Sequence, residues 1–64
     1  MFGNAIRERR KALGLRQSEL ADLAGVSERF IRAAEQDKAS VQLDSLNAVL
    51  DALGLELRIA VRGT

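Results

Sequence analysis

The stretch Gln17 to Glu35, QSELADLAGVSERFIRAAE, constrains the fold more than any other part of this chain. It carries two short apolar-periodic segments separated by a glycine corner. Leu20 and Ala21 share one side of the first segment, and Ile31 and Ala34 share one side of the second. Between them, Gly25 permits a positive φ without a Cβ clash. Val26 is placed to plug the corner, and Ser27 to cap the segment that follows. The small side chain of Ala21 lets the two elements cross closely at a sharp angle. The spacing therefore predicts helices over about 17–24 and 28–36.

The flanking segments extend this helical pattern. Residues 2–13 place Phe2, Ile6 and Leu13 along one stripe with Ala5 and Ala12 beside it. Gly14 stops that helix, and Lys11 in its last turn suits the negative end of the dipole. In the second helix Leu20, Leu23 and Ala24 recur at helical spacing. The link Asp37-Lys38-Ala39-Ser40 is short and polar, and Asp37 is suited to a left-handed conformation after the third helix. A fourth helix is expected over about 42–53, with Leu43, Leu46, Val49, Leu50 and Leu53 as its apolar face and Gly54 as its stop.

From Leu55 the period changes. Leu55, Leu57, Ile59 and Val61 alternate with Glu56, Arg58, Ala60 and Arg62, the pattern of a half-buried strand over about 55–62. Nothing else in the chain reads as a strand, and a lone strand leaves backbone groups unpaired. The simplest partner is the same segment of a second copy, antiparallel across a two-fold axis. Leu55, Leu57, Ile59 and Val61 would then face the helices and seal a homodimer. A fifth helix or a frayed tail is the alternative.

At 64 residues the chain is read as one small domain, residues 1–64, and a domain of this size buries only about 60% of its unfolded surface. With no cysteine and no histidine, neither a disulfide nor a Cys/His metal site supplements the core, and no metal or cofactor is expected. A general base would have to be a carboxylate or Lys, and no acid is placed with a nucleophile or a phosphate-binding glycine loop. An enzyme is not expected. No apolar run approaches a membrane span and the N-terminus does not read as a signal peptide, so a cytoplasmic location without membrane contact is expected.

Net charge is only +1, but its distribution is uneven. Residues 1–16 hold Arg7, Arg9, Arg10, Lys11 and Arg16 against Glu8, whereas residues 17–37 are net acidic. A near-neutral protein binds DNA when its cations face one surface; the bland alternative is that the basic first helix is a solvated face. In a helix-turn-helix, the second helix enters the major groove and its N-terminal residues meet base edges. Those positions are Ser27, Glu28, Arg29 and Arg32. Arg bonds bidentately to guanine O6 and N7, and Glu accepts from cytosine N4. Glu28 has three readings: a cytosine reader, a tether for Arg32 four residues on, or a favourable charge at the helix dipole. Phosphate contacts are expected from Arg16 and Gln17 at the start of the second helix, and from Gln36, Lys38 and Ser40 around the loop after the third. Arg10 and Glu35, each close to an apolar stripe, are expected to form a partly buried ion pair joining the first and third helices.

The run Gln17, Leu20-Ala21, Gly25-Val26-Ser27, Ile31 and Glu35 resembles the phage repressor and Cro-like (XRE-type) helix-turn-helix family. Arg10, Gly14-Leu15 and the later run LDSLNAVLDALGL extend the resemblance over most of the chain. It implies a mainly α, lambda-repressor-like DNA-binding domain of four helices. The ending Leu53-Gly54-Leu55-Glu56-Leu57-Arg58-Ile59-Ala60-Val61 is similar to the HipB-type antitoxins, whose strands pair across the dimer, where most relatives continue with a fifth helix. Position by position, the resemblance implies Ser27, Glu28, Arg29 and Arg32 at bases, Arg16, Gln17 and Lys38 at phosphates, and the Arg10–Glu35 pair. It also implies a dimer that represses its own operon and binds a kinase-like toxin. Arg16 stands where that family usually has a capping Ser, Thr or Asn, and Asp37 stands where Gly is common.

The expectation is therefore a homodimeric, bacterial, nucleoid-associated repressor on a pseudo-palindromic double-stranded operator, acting as the antitoxin of a toxin–antitoxin operon. The rivals are a stand-alone phage or chromosomal regulator without a toxin, and a protein-interaction module that has lost DNA binding.

Overall fold

The computed structural model describes residues 2–38 and 41–63. Among these described residues four helices form: α1 (Gly3–Ala12), α2 (Gln17–Ala24), α3 (Glu28–Glu35) and α4 (Leu43–Ala52). All four stop in the same way, with paired bonds that recapture the last carbonyls. After α2, the Val26 N–H donates to Ala21 O at 3.0 Å and the Gly25 N–H to Asp22 O at 3.3 Å. Gly25 adopts φ 71°, the left-handed value this stop requires. The same pair of bonds closes α1 through Gly14 and Leu15, and α4 through Gly54 and Leu55. At α3 the left-handed position is filled by Asp37, at φ 55°, with Lys38 N–H donating to Ala33 O at 3.0 Å.

The helix starts differ from one another. Ser27 Oγ accepts from the Phe30 N–H at 3.0 Å, a standard N-cap. At α2 Arg16 has no side-chain acceptor to offer. Glu19 instead reaches back, its Oε1 accepting from the Arg16 N–H at 2.8 Å, which is the reciprocal half of a capping box. The first N–H of α1, on Gly3, donates to Asp37 Oδ1 at 2.8 Å.

The core consists of Ile6, Leu20, Ala21, Ile31, Ala34, Leu46, Val49, Leu50 and Leu53, with Phe2, Leu15, Val26, Phe30 and Leu55 packed around it. α2 packs on both α3 and α4, and α1 packs on α3. Three leucines expected on apolar faces are largely exposed. Leu13 lies beyond the last turn of α1, so the inward stripe of that helix is Phe2, Ile6 and Arg10, while Ala5 and Ala12 face solvent. Leu23 falls to the rim because α2 packs through Leu20 and Ala21, and Leu43 opens α4 one turn before it meets the core at Leu46.

The expected strand does not form in the single chain. Residues 55–61 run on without regular structure and end in a turn at 62–63. Leu55 packs on the core, but Leu57, Ile59 and Val61 are 46%, 103% and 81% exposed and do not face the helices of their own chain. The physical reason is the one the sequence raises: among the described residues no second strand is present to complete a ladder.

Candidate nucleic-acid interface

The turn at Gly25 and the Ser27 cap together fix where α3 begins, and so which side chains its exposed first turns present. Ser27, Glu28, Arg29 and Arg32 are all exposed. Glu28 Oε2 and Arg32 Nη2 lie 3.3 Å apart across one turn of the helix, so the tether read from their spacing is present. Exposed pairs of this kind contribute little stability, and the cost of parting them is correspondingly small. Among the described residues the Arg29 side chain makes no ion pair or hydrogen bond. An unengaged guanidinium at the open end of α3 is free to bond outward.

At the opposite end of α3, Glu35 gathers the first three helices. Its carboxylate accepts from Arg10 Nε at 2.6 Å and Arg10 Nη2 at 3.1 Å, and from Gln17 Nε2 at 3.1 Å. Arg7 Nε stands 3.6 Å from Oε1. The Arg10 Nη1 group turns the other way and donates to Leu15 O at 2.9 Å. The side chains of Arg10 and Glu35 are only 11% and 2% exposed. Burial pushes the Glu35 carboxyl upward, but the donors Arg10 and Gln17 and the charges of Arg10 and Arg7 outweigh it and hold it below the ordinary carboxylate value. The Arg10 guanidinium is raised by the same hydrogen bond to Glu35.

This cluster changes the meaning of the basic N-terminal segment. Arg7 and Arg10 are directed at Glu35, and Arg9 Nε donates to Leu53 O at 2.9 Å, closing the end of α4. Much of the positive charge of α1 therefore serves contacts within the chain, a use expected of Arg10 but not of Arg7 or Arg9. Arg16 and Lys38 remain exposed, as does Gln36. Gln17 is half-buried with one amide N–H committed to Glu35. The structure brings the first residue of α2 against the last residue of α3, so Gln17 lies beside the segment that leads into Gln36 and Lys38. Ser40 lies outside the described residues.

Sequence reasoning did not find Arg7 and Gln17 as additional partners of Glu35, Arg9 as the closure of α4, or Asp37 as the acceptor for Gly3. Arg7 carried a usable signal, because it lies three positions before Arg10 on the same side of α1. The contacts of Gln17 with Glu35, Arg9 with Leu53 and Asp37 with Gly3 join positions 18, 44 and 34 apart and have no local signature.

Among the described residues no helix is long and apolar enough to cross a membrane, and no cluster of acids is arranged to hold a metal ion.

Comparison with known proteins gives a match to a helix-turn-helix family model over residues 6–59, which begins within α1, contains α2, α3 and α4 and ends in the tail. An uncharacterized HTH-type transcriptional regulator of Sinorhizobium fredii is 41% identical over 62 residues, covering 97% of this chain and 82% of its own length. A second uncharacterized HTH-type transcriptional regulator, from Methanothermobacter thermautotrophicus, is 45% identical over 51 residues, covering 80% of this chain and 74% of its own length.

Proposed function

Because this chain belongs to the XRE-type helix-turn-helix family, we propose that it is a sequence-specific repressor that binds a pseudo-palindromic DNA operator as a homodimer. The observation that carries this reading is the exposed first half of α3, fixed by the Ser27 cap and carrying an unengaged Arg29. Arg29 and Arg32 read guanine, Arg32 after release from Glu28, and Ser27 and Glu28 complete the base-facing set. Arg16, Gln17, Gln36 and Lys38 contact phosphates, with Ser40 the further candidate in the loop. Gln17 uses its second amide N–H for this while the first stays on Glu35.

The tail supplies the second copy. Leu57, Ile59 and Val61 are apolar, exposed and regularly alternating, which suits pairing with the same segment of a partner and suits few other uses. Leu55 continues that row from the core outward. Two recognition helices held in this way sit about 34 Å apart, one turn of the duplex. The self-pairing tail also favours an antitoxin that autorepresses its operon and binds a kinase-like toxin over a stand-alone regulator.

The test is a titration of duplex DNA from the region upstream of its own gene, repeated across salt concentrations. Binding should weaken steeply with salt, because each neutralised phosphate releases counterions and contributes about −0.9 to the log–log slope. Arg29→Ala should relax preference at one base pair and cost about 1–3 kcal/mol. Absence of binding to any duplex at low ionic strength would leave a protein-interaction module as the better reading. Absence of a complex with a kinase-like neighbour would leave the stand-alone regulator.

A further inference from the structure

We propose that two copies of this chain pair their tails in one particular register, with the two-fold axis at Ile59, so that Ile59 faces the partner's Ile59. The proposal rests on the self-pairing reading above and adds to it which residues meet.

The available segment is bounded on both sides. Leu55 is committed to its own body, since its N–H donates to Leu50 O at 2.8 Å as part of the stop of α4 and its side chain packs on the core. At the other end the chain turns at 62–63. What remains is 56–62, and its exposed apolar side chains, Leu57, Ile59 and Val61, are symmetric about the middle one.

Directly opposed residues of an antiparallel pair share a face. Apolar positions therefore meet apolar positions only when the axis passes at a residue, not between two residues. That leaves centres at 57 to 61 for a segment of this length, and a centre at 61 pairs only residues 60–62, with Leu57 and Ile59 left unpaired within it. A centre at 58 sets Arg58 against the partner's Arg58, and a centre at 60 sets Arg58 against the partner's Arg62 twice. Like charges directly opposed destabilise a ladder. A centre at 57 is acceptable in charge, with Glu56 against the partner's Arg58. It draws in Leu55, which is already engaged, and leaves Val61 without a partner. A centre at 59 uses the whole segment. Leu57 meets the partner's Val61 on both sides of the central isoleucine pair, and Glu56 meets the partner's Arg62 at both ends. Arg58 meets the partner's Ala60 and keeps its own contact with Glu56, 2.8 Å away in the single chain. The carboxylate of Glu56 then lies between two guanidinium groups, one from each copy.

The chain contains no cysteine, so single-cysteine variants report the register cleanly. Ile59→Cys, Leu57→Cys and Val61→Cys alter only exposed tail positions, and helical circular dichroism checks that each still folds. The full-length variants are oxidised or treated with a short bifunctional maleimide, and dimers are counted on denaturing gels. Ile59→Cys should cross-link at least ten times faster than either other single variant, because opposed Cβ atoms lie about 4.5–5.5 Å apart. In this register two copies of residue 57 are offset by four residues, about 14 Å at ~3.4 Å each, which is out of reach of a disulfide. The double variant Leu57→Cys/Val61→Cys should cross-link readily. A dimer in which Leu57→Cys cross-links fastest would overturn the Ile59 register while leaving tail pairing intact. A wild-type chain that stays monomeric at every concentration in sedimentation would overturn the self-pairing reading itself.

Discussion

Asp37 Oδ1 accepts a hydrogen bond from the Gly3 N–H at 2.8 Å, so the residue that stops α3 also starts α1. Both ends of this contact are constrained. Asp37 holds a left-handed backbone, and Gly3 is pressed so closely to α3 that a Cβ there would strike the backbone carbonyls of Glu35 and, at 2.7 Å, Ala34. Asp37 thus combines a left-handed helix stop with a cap for another helix.

Gly3→Ala should destabilise the fold by about 1–3 kcal/mol, the usual cost of overpacking, because rigid backbone on α3 cannot yield as a side chain would. Urea titration should show a lower midpoint at unchanged slope. An unchanged midpoint would mean that α1 shifts freely along α3.

At Asp37, stability should fall in the order Asn, Gly, Ala. Asp37→Asn retains a side-chain oxygen and tolerates the left-handed region. Asp37→Gly relaxes the backbone but loses the cap, worth about 1 kcal/mol. Asp37→Ala loses the cap and keeps the strain. Thermal melts in which Ala equals Asn would remove the capping role.

Arg10→Met should be better tolerated than Glu35→Ala. Without Arg10, Glu35 keeps Gln17 at 3.1 Å and has Arg7 at 3.6 Å. Without Glu35, the nearly buried Arg10 keeps only Leu15 O, and Gln17 loses its partner as well. Loss of one member of a buried pair costs about 3–5 kcal/mol. Melting temperatures in the reverse order would show that Arg10 escapes to solvent when released.

Acid should weaken the fold. Glu35 and Asp37 are both held below their ordinary values of 4.5 and 3.8, Glu35 against the pull of burial and Asp37 chiefly by the Gly3 N–H. In that range the unfolded chain binds more protons than the folded one, so stability rises with pH. The contribution is complete above the ordinary carboxylate range and is lost as pH falls through the lowered folded values. Urea midpoints measured from neutral pH down to about pH 3 should decline, and Glu35→Gln should flatten most of the decline. Parallel curves for the two proteins would assign the acid sensitivity elsewhere.

Glu28→Gln should raise affinity for random duplex DNA, because it frees Arg32 and removes a negative charge from the exposed face of α3. Reduced affinity for random sequence would mean that Glu28 positions Arg32 productively.

The helix-turn-helix was legible because its determinants are local. Gly25, Val26 and Ser27 act on residues within five positions, and the periodic Leu20, Ala21, Ile31 and Ala34 follow from helical geometry. The approach of Arg10 to Glu35 was legible from two charged residues close to apolar stripes. The contacts of Arg9 with Leu53 and of Asp37 with Gly3 were not, since each depends on how α1 lies across elements far away in sequence. Leu23 and Leu43 show the limit of periodicity, which identifies an apolar side but not how far along a helix its neighbour reaches. The tail shows another limit, because alternation reads as a strand whether or not a second strand is at hand, and among the described residues none is present.

Leu55 is the last residue that the helical body needs. Everything that shapes α3 and its outward arginines lies before it, and the alternating segment lies after it. On the function proposed above, address and company are thus written in separate stretches of the sequence. With the pairing and the groove reading proposed above, substitutions beyond Leu55 redefine which copies or paralogues associate while the exposed face of α3 stays as it is, so a duplicated gene of this kind can part from its parent by changing a handful of codons after Leu55.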